Sequence, residues 1–258
     1  MYWPYDAPMP APVEPRPASS TLVLRDGHAG LEVAMVQRHS GTASAAGAWV
    51  FPGGGVDASD HAHHVADDQL AERTRRDRLA APDATAYYVA AVRELFEEAG
   101  VLLTSSVTTS TAREQWRAAL LAHDIDFPGL LTREKLTLDL DALLYIAHWR
   151  TPEGRARRFD TRFFLVAATD DTLTSDGHET IAHEWCRPSD ALARGEEGAW
   201  QLLLPTRTLL GQLTPFESVG DALDFFRRQP RPALVQPVEV ERAGRLVAEI
   251  PPSPELRH

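Results

Sequence analysis

The chain has 258 residues, of which 43% are hydrophobic and 24% are charged, a composition typical of a globular protein. Its formal net charge of −11 argues against a nucleic-acid polymer as the main partner, because binding a phosphate chain requires a basic surface. A small anionic ligand needs only a local basic pocket and stays compatible with this charge. Cys186 is the one cysteine, which excludes an internal disulfide and a thiolate metal cluster.

Segments that target a protein to a membrane or an organelle are not evident in the sequence. The proline-rich start lacks the basic residues and the apolar stretch of a signal peptide, and no run of 18 apolar residues could form a spanning helix. Residues 255–258 are not a peroxisomal targeting signal. We therefore expect a cytoplasmic protein that does not contact a membrane.

Strands and helices are predicted to alternate along the chain. In the first half, the predicted elements are strands over residues 19–25, 31–38 and 48–51, helices over 85–99 and 111–123, and short helical turns within 126–143. In the second half, they are strands over 145–149, 162–168 and 184–185, helices over 188–194, 205–213 and 218–227, and a hairpin around Ala243-Gly244. This interleaving predicts an α/β fold with a mixed sheet.

The most informative segment is residues 93–101, Arg-Glu-Leu-Phe-Glu-Glu-Ala-Gly-Val. On a helix, Glu94, Glu97 and Glu98 share one face, where their like charges repel one another unless a cation sits among them. Hard oxygen ligands of this kind suit Mg²⁺ or Mn²⁺. A solvated acidic face is the simpler interpretation of such a helix taken alone.

A glycine turn upstream of this helix favours a metal site over a solvated acidic face. Phe51-Pro52-Gly53-Gly54-Gly55 follows a predicted strand, and together with residues 93–101 it resembles the Nudix box. The Glu that the box carries six positions after its second Gly is replaced by Asp60, and 33 positions instead of eight separate Asp60 from Arg93, so about 25 residues are inserted, roughly over 58–84. The histidines at 61, 63 and 64 in this insertion could suggest a metal site, but no cysteine or regular ligand spacing accompanies them, so a polar, partly helical surface segment is favoured. Asp57 and Asp60 are both candidates for the partner of Arg93.

The insertion and a later segment narrow the resemblance. Residues 149–152 and 157–164, Trp-Arg-Thr-Pro and Arg-Arg-Phe-Asp-Thr-Arg-Phe-Phe, together with Gln37-Arg38, are similar to the peroxisomal coenzyme A diphosphatase branch of the Nudix hydrolases. The resemblance spans residues 18–215 and implies an α/β/α sandwich. It leaves a proline-rich N-terminal extension over 1–17, and a C-terminal helix with a proline-rich hairpin extension over 216–258.

The resemblance also implies roles for individual residues. The expected metal ligands are Gly53, Glu94, Glu97, Glu98 and, beyond the box, Glu179. Glu94 could instead act as a general base, and Arg93 would belong to the catalytic group by ion pairing rather than by touching substrate. The expected substrate-binding residues are Arg38, Gly54, Arg157, Arg158 and Arg162, because guanidinium groups suit phosphate oxygens. The alternation over residues 158–163 is equally what a half-buried edge strand would show. The aromatic residues Trp49, Tyr87 and Tyr88 could stack on a base, although a core position fits them better.

The function that follows is Mg²⁺- or Mn²⁺-dependent hydrolysis of a phosphoanhydride in a nucleoside diphosphate linked to another group. Coenzyme A or an acyl-coenzyme A, cleaved to 3′,5′-ADP and a 4′-phosphopantetheine product, is the substrate that the resemblance favours. ADP-ribose, a nucleotide sugar, NADH or a dinucleoside polyphosphate is the alternative. A ligand-sensing Nudix module without turnover is a reading of another class. The sequence is also compatible with a homodimer.

Overall fold

The structure is a computed structural model that describes residues 13–41, 45–61, 78–168, 173–174, 180–242 and 244–251. The strands in these residues are β1 (Arg16–Gly27), β2 (Gly30–Arg38), β3 (Trp49–Val50), β4 (Gly53–Gly55), β5 (Leu144–Arg150), β6 (Phe159–Ala167), β7 (Thr180–Cys186), β8 (Leu234–Val235), β9 (Val238–Arg242) and β10 (Arg245–Glu249). The α-helices there are α1 (Ala84–Ala99), α2 (Ser110–Leu121), α3 (Phe127–Glu134), α4 (Pro188–Glu196), α5 (Leu204–Leu213) and α6 (Val219–Arg228). Two short 3₁₀ helices lie at Ala58–His61 and Leu140–Ala142.

The main sheet is mixed and is built around β1. Its strand order is β3-β2-β1-β6-β5-β8, with β4 also paired to β1 and β7 also paired to β2. Strand β1 runs parallel to β6 and antiparallel to β2 and β4. The long β1 can serve both antiparallel partners because its first half pairs with β4 and its second half pairs with β2. The glycine turn is thereby fixed against the centre of the sheet.

Two hydrophobic cores lie on opposite faces of this sheet. Successive residues of a strand point to opposite faces, and in β6 Phe164 belongs to one core while Phe163 and Leu165 belong to the other. The first core is covered by α1, α2 and α3, and the second by α4, α5 and α6. This layering confirms the expected α/β/α sandwich. Helix α6 contributes Ala222 and Phe226 to the second core although it follows residue 215.

The C-terminal hairpin has the predicted place in the chain. Strands β9 and β10 pair antiparallel in a separate two-stranded sheet, with Val240 opposite Val247. Ala243, in its turn, is outside the described residues, and Gly244 adopts φ 77°. An ion pair of 2.5 Å between Arg155 and Glu239 ties the hairpin to the β5–β6 loop.

Helix α1 matches the predicted helix closely. It spans Ala84–Ala99 and ends at Gly100, whose φ of 77° is the left-handed conformation that favours glycine at a helix end. Fifteen of its sixteen residues are buried, so it is held between the sheet and α2. Across the described ranges, no helix is both long enough and apolar enough to cross a bilayer.

Candidate active site

The glycine turn and the acidic helix are joined by close backbone contacts. A Cβ atom on Gly53 would lie 2.3 Å from the Ser19 carbonyl oxygen, so no larger residue fits this pairing with β1. The Gly53 N–H instead donates to Glu98 Oε2 at 2.7 Å. A Cβ atom on Gly54 would lie 2.4 Å from the carboxylate of Glu94. The absence of side chains on β4 therefore lets α1 bring its carboxylates against the strand.

Arg93 connects the glycine turn to the acidic helix through hydrogen bonds and ion pairs. Its Nε and Nη2 donate to the two carboxylate oxygens of Asp60, each at 2.9 Å, and Nη2 also donates to the Gly55 carbonyl at 2.8 Å. Its Nη1 donates to Glu94 at 2.7 Å and, more weakly, to Glu97 at 3.5 Å. Arg93 thus links the turn, the helix and the start of the insertion, as expected of a residue that organises a site by ion pairing.

The partner of Arg93 across the insertion is Asp60. Its side chain is fully buried in a two-pronged pair with the guanidinium, and Oδ2 also accepts the Asp57 N–H at 2.7 Å. Asp57 itself lies 3.8 Å from Arg93 and is mostly exposed. Burial disfavours the charged guanidinium, but the hydrogen bonds of Asp60 and the nearby carboxylates outweigh it and raise the pKa of Arg93 above its ordinary value.

The three box glutamates differ in environment. Glu98 is almost wholly buried, and its Oε1 lies 3.7 Å from Arg38 Nη1. Glu94 is also buried, whereas about a quarter of the Glu97 side chain is exposed. Burial raises the pKa of Glu97, and the charge of Arg93 only partly opposes this effect. Glu97, the most accessible of these three glutamates, therefore carries a negative charge that Arg93 only partly compensates.

The side chains around these glutamates carry an excess of negative charge that a cation would balance. The ion-paired groups described at this site are Asp57, Asp60, Glu94, Glu97, Glu98, Arg38 and Arg93. Five carboxylates thus face two guanidinium groups, an excess of three negative charges beside which a polyanionic ligand could not bind without a cation. The donor chemistry fits Mg²⁺ or Mn²⁺.

The side-chain arrangement does not itself enclose an ion. In the described part of the chain, no three acidic, histidine or cysteine side chains converge as a metal-binding group, because Glu94 and Glu97 turn toward Arg93 and Glu98 binds the Gly53 N–H. Glu179, the remaining predicted ligand, lies outside the described residues.

These groups line an open cleft of about 1480 Å³. The cleft is lined by Gly53, Gly54 and Arg38 and by all three box glutamates, which brings most of the predicted site residues together. Its lining also includes apolar residues that the sequence interpretation did not assign to a site: Phe51, Trp149, Phe159, Phe163, Leu203 and Leu204.

Arginines from the end of β5 and from the loop between β5 and β6 also line the cleft. Arg157 is exposed there and makes no ion pair with any described residue. Arg155 also lines the cleft while paired with Glu239, and Arg150 lines it while paired with Asp160 at 3.4 Å. Arg150 and Arg155 were not among the predicted binding residues. The cleft is therefore lined by both carboxylates and guanidinium groups.

Arg158 and Arg162 do not lie at the cleft, contrary to expectation. Both are buried, on the face of β6 and its preceding residue opposite to the one that Phe159 and Phe163 present to the cleft. The Arg158 guanidinium donates to the Val13 and Thr151 carbonyls. These two arginines hold the fold together, because strand alternation turns them away from the ligand side.

The remaining arginine of β6 and the predicted stacking aromatics belong to the interior. Arg162 lies over the Tyr87 ring at 5.1 Å and 3.1 Å from Asp160. Tyr87 and Tyr88 are buried in the first core. Trp49 stacks on Trp200 in the second core, with ring centroids 4.0 Å apart. Their core positions agree with the simpler of the two sequence interpretations.

Comparison with known proteins gives a family match. The family model described as the NUDT19 Nudix domain matches residues 63–201, more than half of the chain. The chain is 29% identical over 246 residues to acyl-coenzyme A diphosphatase NUDT19 of Gallus gallus, which covers 77% of this chain and 65% of that protein. It is also 29% identical over 224 residues to the Homo sapiens protein of the same name, covering 68% and 59%. The chain thus spans somewhat under two thirds of the length of these relatives.

A solved structure shows the same architecture. The crystal structure of a NUDIX hydrolase from Alicyclobacillus acidocaldarius superposes with a TM-score of 0.66 at 27% sequence identity. The match covers 84% of this chain and 99% of the other. The shared architecture therefore extends beyond the box to most of the described sandwich.

Proposed function

Because the chain belongs to the NUDT19 Nudix domain family, we propose that it hydrolyses a phosphoanhydride in a nucleoside diphosphate linked to another group. The observation that carries this proposal is that one cleft is lined by both carboxylates and guanidinium groups. Glu94 and Glu98 of α1 lie against the glycines of β4, and Glu97, Arg155 and Arg157 line the same cleft. Carboxylates suit a divalent cation and guanidinium groups suit phosphate, so the cleft offers both parts that a diphosphate requires.

The box glutamates, Gly53 and Arg93 would have different roles in the reaction. Glu97, Glu98 and the Gly53 carbonyl would hold Mg²⁺ or Mn²⁺, which when bound supplies charge neutralisation and makes a water molecule more acidic. Glu94 would hold the cation as well or accept the proton of the attacking water, and its place against Gly54 fixes its carboxylate for either role. Arg93 would keep the helix and the turn in position through Asp60 and Gly55.

The substrate that we propose is coenzyme A or an acyl-coenzyme A, cleaved to 3′,5′-ADP and a 4′-phosphopantetheine product. Two relatives carry the name acyl-coenzyme A diphosphatase. The cleft supports this choice because coenzyme A bears a phosphate besides its diphosphate, for which Arg157 offers a guanidinium without an ion pair among the described residues. The apolar residues of the cleft lining would contact uncharged parts of the molecule.

The test is product release with Mg²⁺ or Mn²⁺ from coenzyme A, an acyl-coenzyme A, 3′-dephospho-coenzyme A, ADP-ribose, NADH and diadenosine polyphosphates. Glu98→Gln should lower kcat at least about 100-fold because it removes a charge from the cation site while keeping the side-chain shape. Glu114→Gln, which changes an exposed glutamate on α2, is the matched control and should leave kcat unchanged.

Each outcome decides between candidates. Preference for coenzyme A or its acyl derivative over the dephosphorylated form supports the substrate. Turnover of ADP-ribose, NADH or a dinucleoside polyphosphate instead keeps the chemistry and overturns coenzyme A. Binding without turnover of any compound would point to a sensing module, a reading that the three retained glutamates disfavour.

Three further expectations stay predictions. They are a cytoplasmic location, a homodimer in solution, and a Nudix domain over residues 18–215 flanked by extensions. Light scattering on the purified protein would decide the second of these.

A further inference from the structure

The last turn of α1, which carries Glu97 and Glu98, is held from outside the helix. The last carbonyls of any α-helix have no donor within the helix. Here the Glu97 carbonyl accepts from Arg117 of α2, the Glu98 carbonyl accepts from the Thr180 hydroxyl at 3.2 Å, and the Ala99 carbonyl accepts from the Thr174 N–H at 3.0 Å. Three successive carbonyls are thus satisfied by three residues from other segments.

Arg117 makes the largest number of these contacts. Its Nε and Nη2 donate to the Glu97 carbonyl at 2.9 and 2.7 Å, while Nη1 and Nη2 donate to the hydroxyl and the carbonyl of Thr174 at 2.7 and 2.8 Å. A positively charged guanidinium at the C-terminal end of a helix also interacts favourably with the helix dipole. One side chain therefore joins α1, α2 and the residue at position 174.

The contacts at Thr174 and Thr180 are equally close. A Cβ atom on Gly100 would lie 2.4 Å from the Thr174 hydroxyl, so glycine is needed here for contact as well as for its φ of 77°. Thr180 is completely buried and pairs with Arg38 across β7 and β2. The end of α1 is thereby connected to Arg38, which lines the cleft.

We propose that Arg117 is a positioning residue that, with Thr180, fixes the last turn of α1 so that Glu97 and Glu98 are preorganised to bind a divalent cation. This inference rests on the proposed function, since it assigns the cation to the same glutamates. Outer residues that orient metal ligands commonly change metal affinity by about 10- to 100-fold when they are replaced. Arg117 does not line the cleft and would not touch the substrate.

The experiment measures Mn²⁺ binding to the full chain by electron paramagnetic resonance, without substrate. Arg117→Ala should weaken Mn²⁺ binding about tenfold, and alanine does not lower the helix propensity of α2. Arg117→Lys should recover part of this loss, because an ammonium group can reach one carbonyl but not both. Arg133→Ala, which removes an exposed arginine of α3 paired with Glu134, is the control and should bind Mn²⁺ as the wild type does.

Thr180→Val gives a second, shape-conserving test if Arg117→Ala does not fold. It removes the hydroxyl that donates to the backbone carbonyl of Glu98 and should also weaken Mn²⁺ binding, by about three- to tenfold. In turnover assays, both variants should lower kcat and change KM less than about threefold. A variant with a lower melting temperature but wild-type Mn²⁺ affinity and kcat would make the contacts merely structural and would overturn the proposal.

The two proposals fail in different ways. If the wild type binds Mn²⁺ but hydrolyses none of the compounds, the proposed activity fails while the Mn²⁺ titrations still decide the role of Arg117. If the wild type does not bind Mn²⁺, the positioning role is overturned directly.

Discussion

Asp60 occupies the position at which the Nudix box ordinarily has a glutamate. The aspartate side chain is one methylene shorter, yet it reaches Arg93 with both oxygens at 2.9 Å. It can do so because the 3₁₀ helix at Ala58–His61 brings its backbone close to α1 before the insertion departs. The ion pair between Asp60 and Arg93 therefore joins the chain segments that precede and follow most of the inserted residues.

We predict that Asp60→Asn destabilises the fold by about 3 kcal/mol, because it removes one charge of a buried pair and places an amide NH₂ where a carboxylate oxygen accepts from the Arg93 guanidinium. Asp57→Asn should cost under about 1 kcal/mol, since Asp57 is mostly exposed and 3.8 Å away. Urea unfolding of the two variants measures the difference. Equal effects would show that Arg93 does not depend on Asp60.

At the scale of elements, β6 and the loop before it separate structural arginines from accessible ones. Arg158 and Arg162 are buried, with Arg162 over the Tyr87 ring of α1, while Arg157 is exposed and lines the cleft. Three arginines within six positions thus have different tasks. The alternation of the strand decides which task each one has.

Arg157→Ala should raise KM for coenzyme A roughly five- to tenfold and leave kcat nearly unchanged, because the guanidinium would contact a phosphate remote from the bond that breaks. The KM for 3′-dephospho-coenzyme A should change less. Arg228→Ala, an exposed arginine of α6 outside the cleft lining, is the control. Equal loss on both substrates would mean that Arg157 does not contact the 3′-phosphate.

On the scale of the whole molecule, a partly buried polar cluster joins the sheet to the first core. His148 Nε2 lies 2.5 Å from Asp160 Oδ1, and Arg162 connects Asp160 to the Tyr87 ring of α1. Burial lowers the pKa of His148, and the hydrogen bond to Asp160 only partly opposes it. For Asp160, burial acts to raise the pKa, but the bond from His148 and the charge of Arg162 outweigh it and hold the pKa well below its usual range.

This cluster predicts how stability depends on pH. A histidine whose pKa is lowered in the folded state contributes stability that is present above its ordinary pKa of about 6.5 and is lost as the pH falls toward the lower folded value. Between pH 6.5 and 5, the free energy of unfolding should therefore fall more steeply in the wild type than in His148→Gln, by up to about 1.4 kcal/mol per pH unit.

Denaturant unfolding at several pH values measures this slope. His28→Gln, at an exposed position, is the matched control and should retain the wild-type slope. Identical slopes for the wild type and His148→Gln would contradict the prediction.

Most elements were predictable because their signals are local. Helix α1 was expected over 85–99 and is found at Ala84–Ala99, since apolar spacing and Gly100 mark its face and its end. The strand expected over 162–168 begins earlier, at Phe159, because pairing with β1 extends it. Such an extension depends on a partner more than 130 positions away and leaves no mark in the strand's own sequence.

By itself, the sequence determined that three carboxylates share a helix face, that glycines precede them, and that strands and helices alternate, because these properties depend on residues a few positions apart. Only the tertiary structure decided that Asp60 rather than Asp57 pairs with Arg93, that Arg157 rather than Arg158 reaches the cleft, and that Arg117 caps α1. Each of these depends on which distant surfaces pack together, and side-chain spacing along one segment carries no information about what lies opposite it.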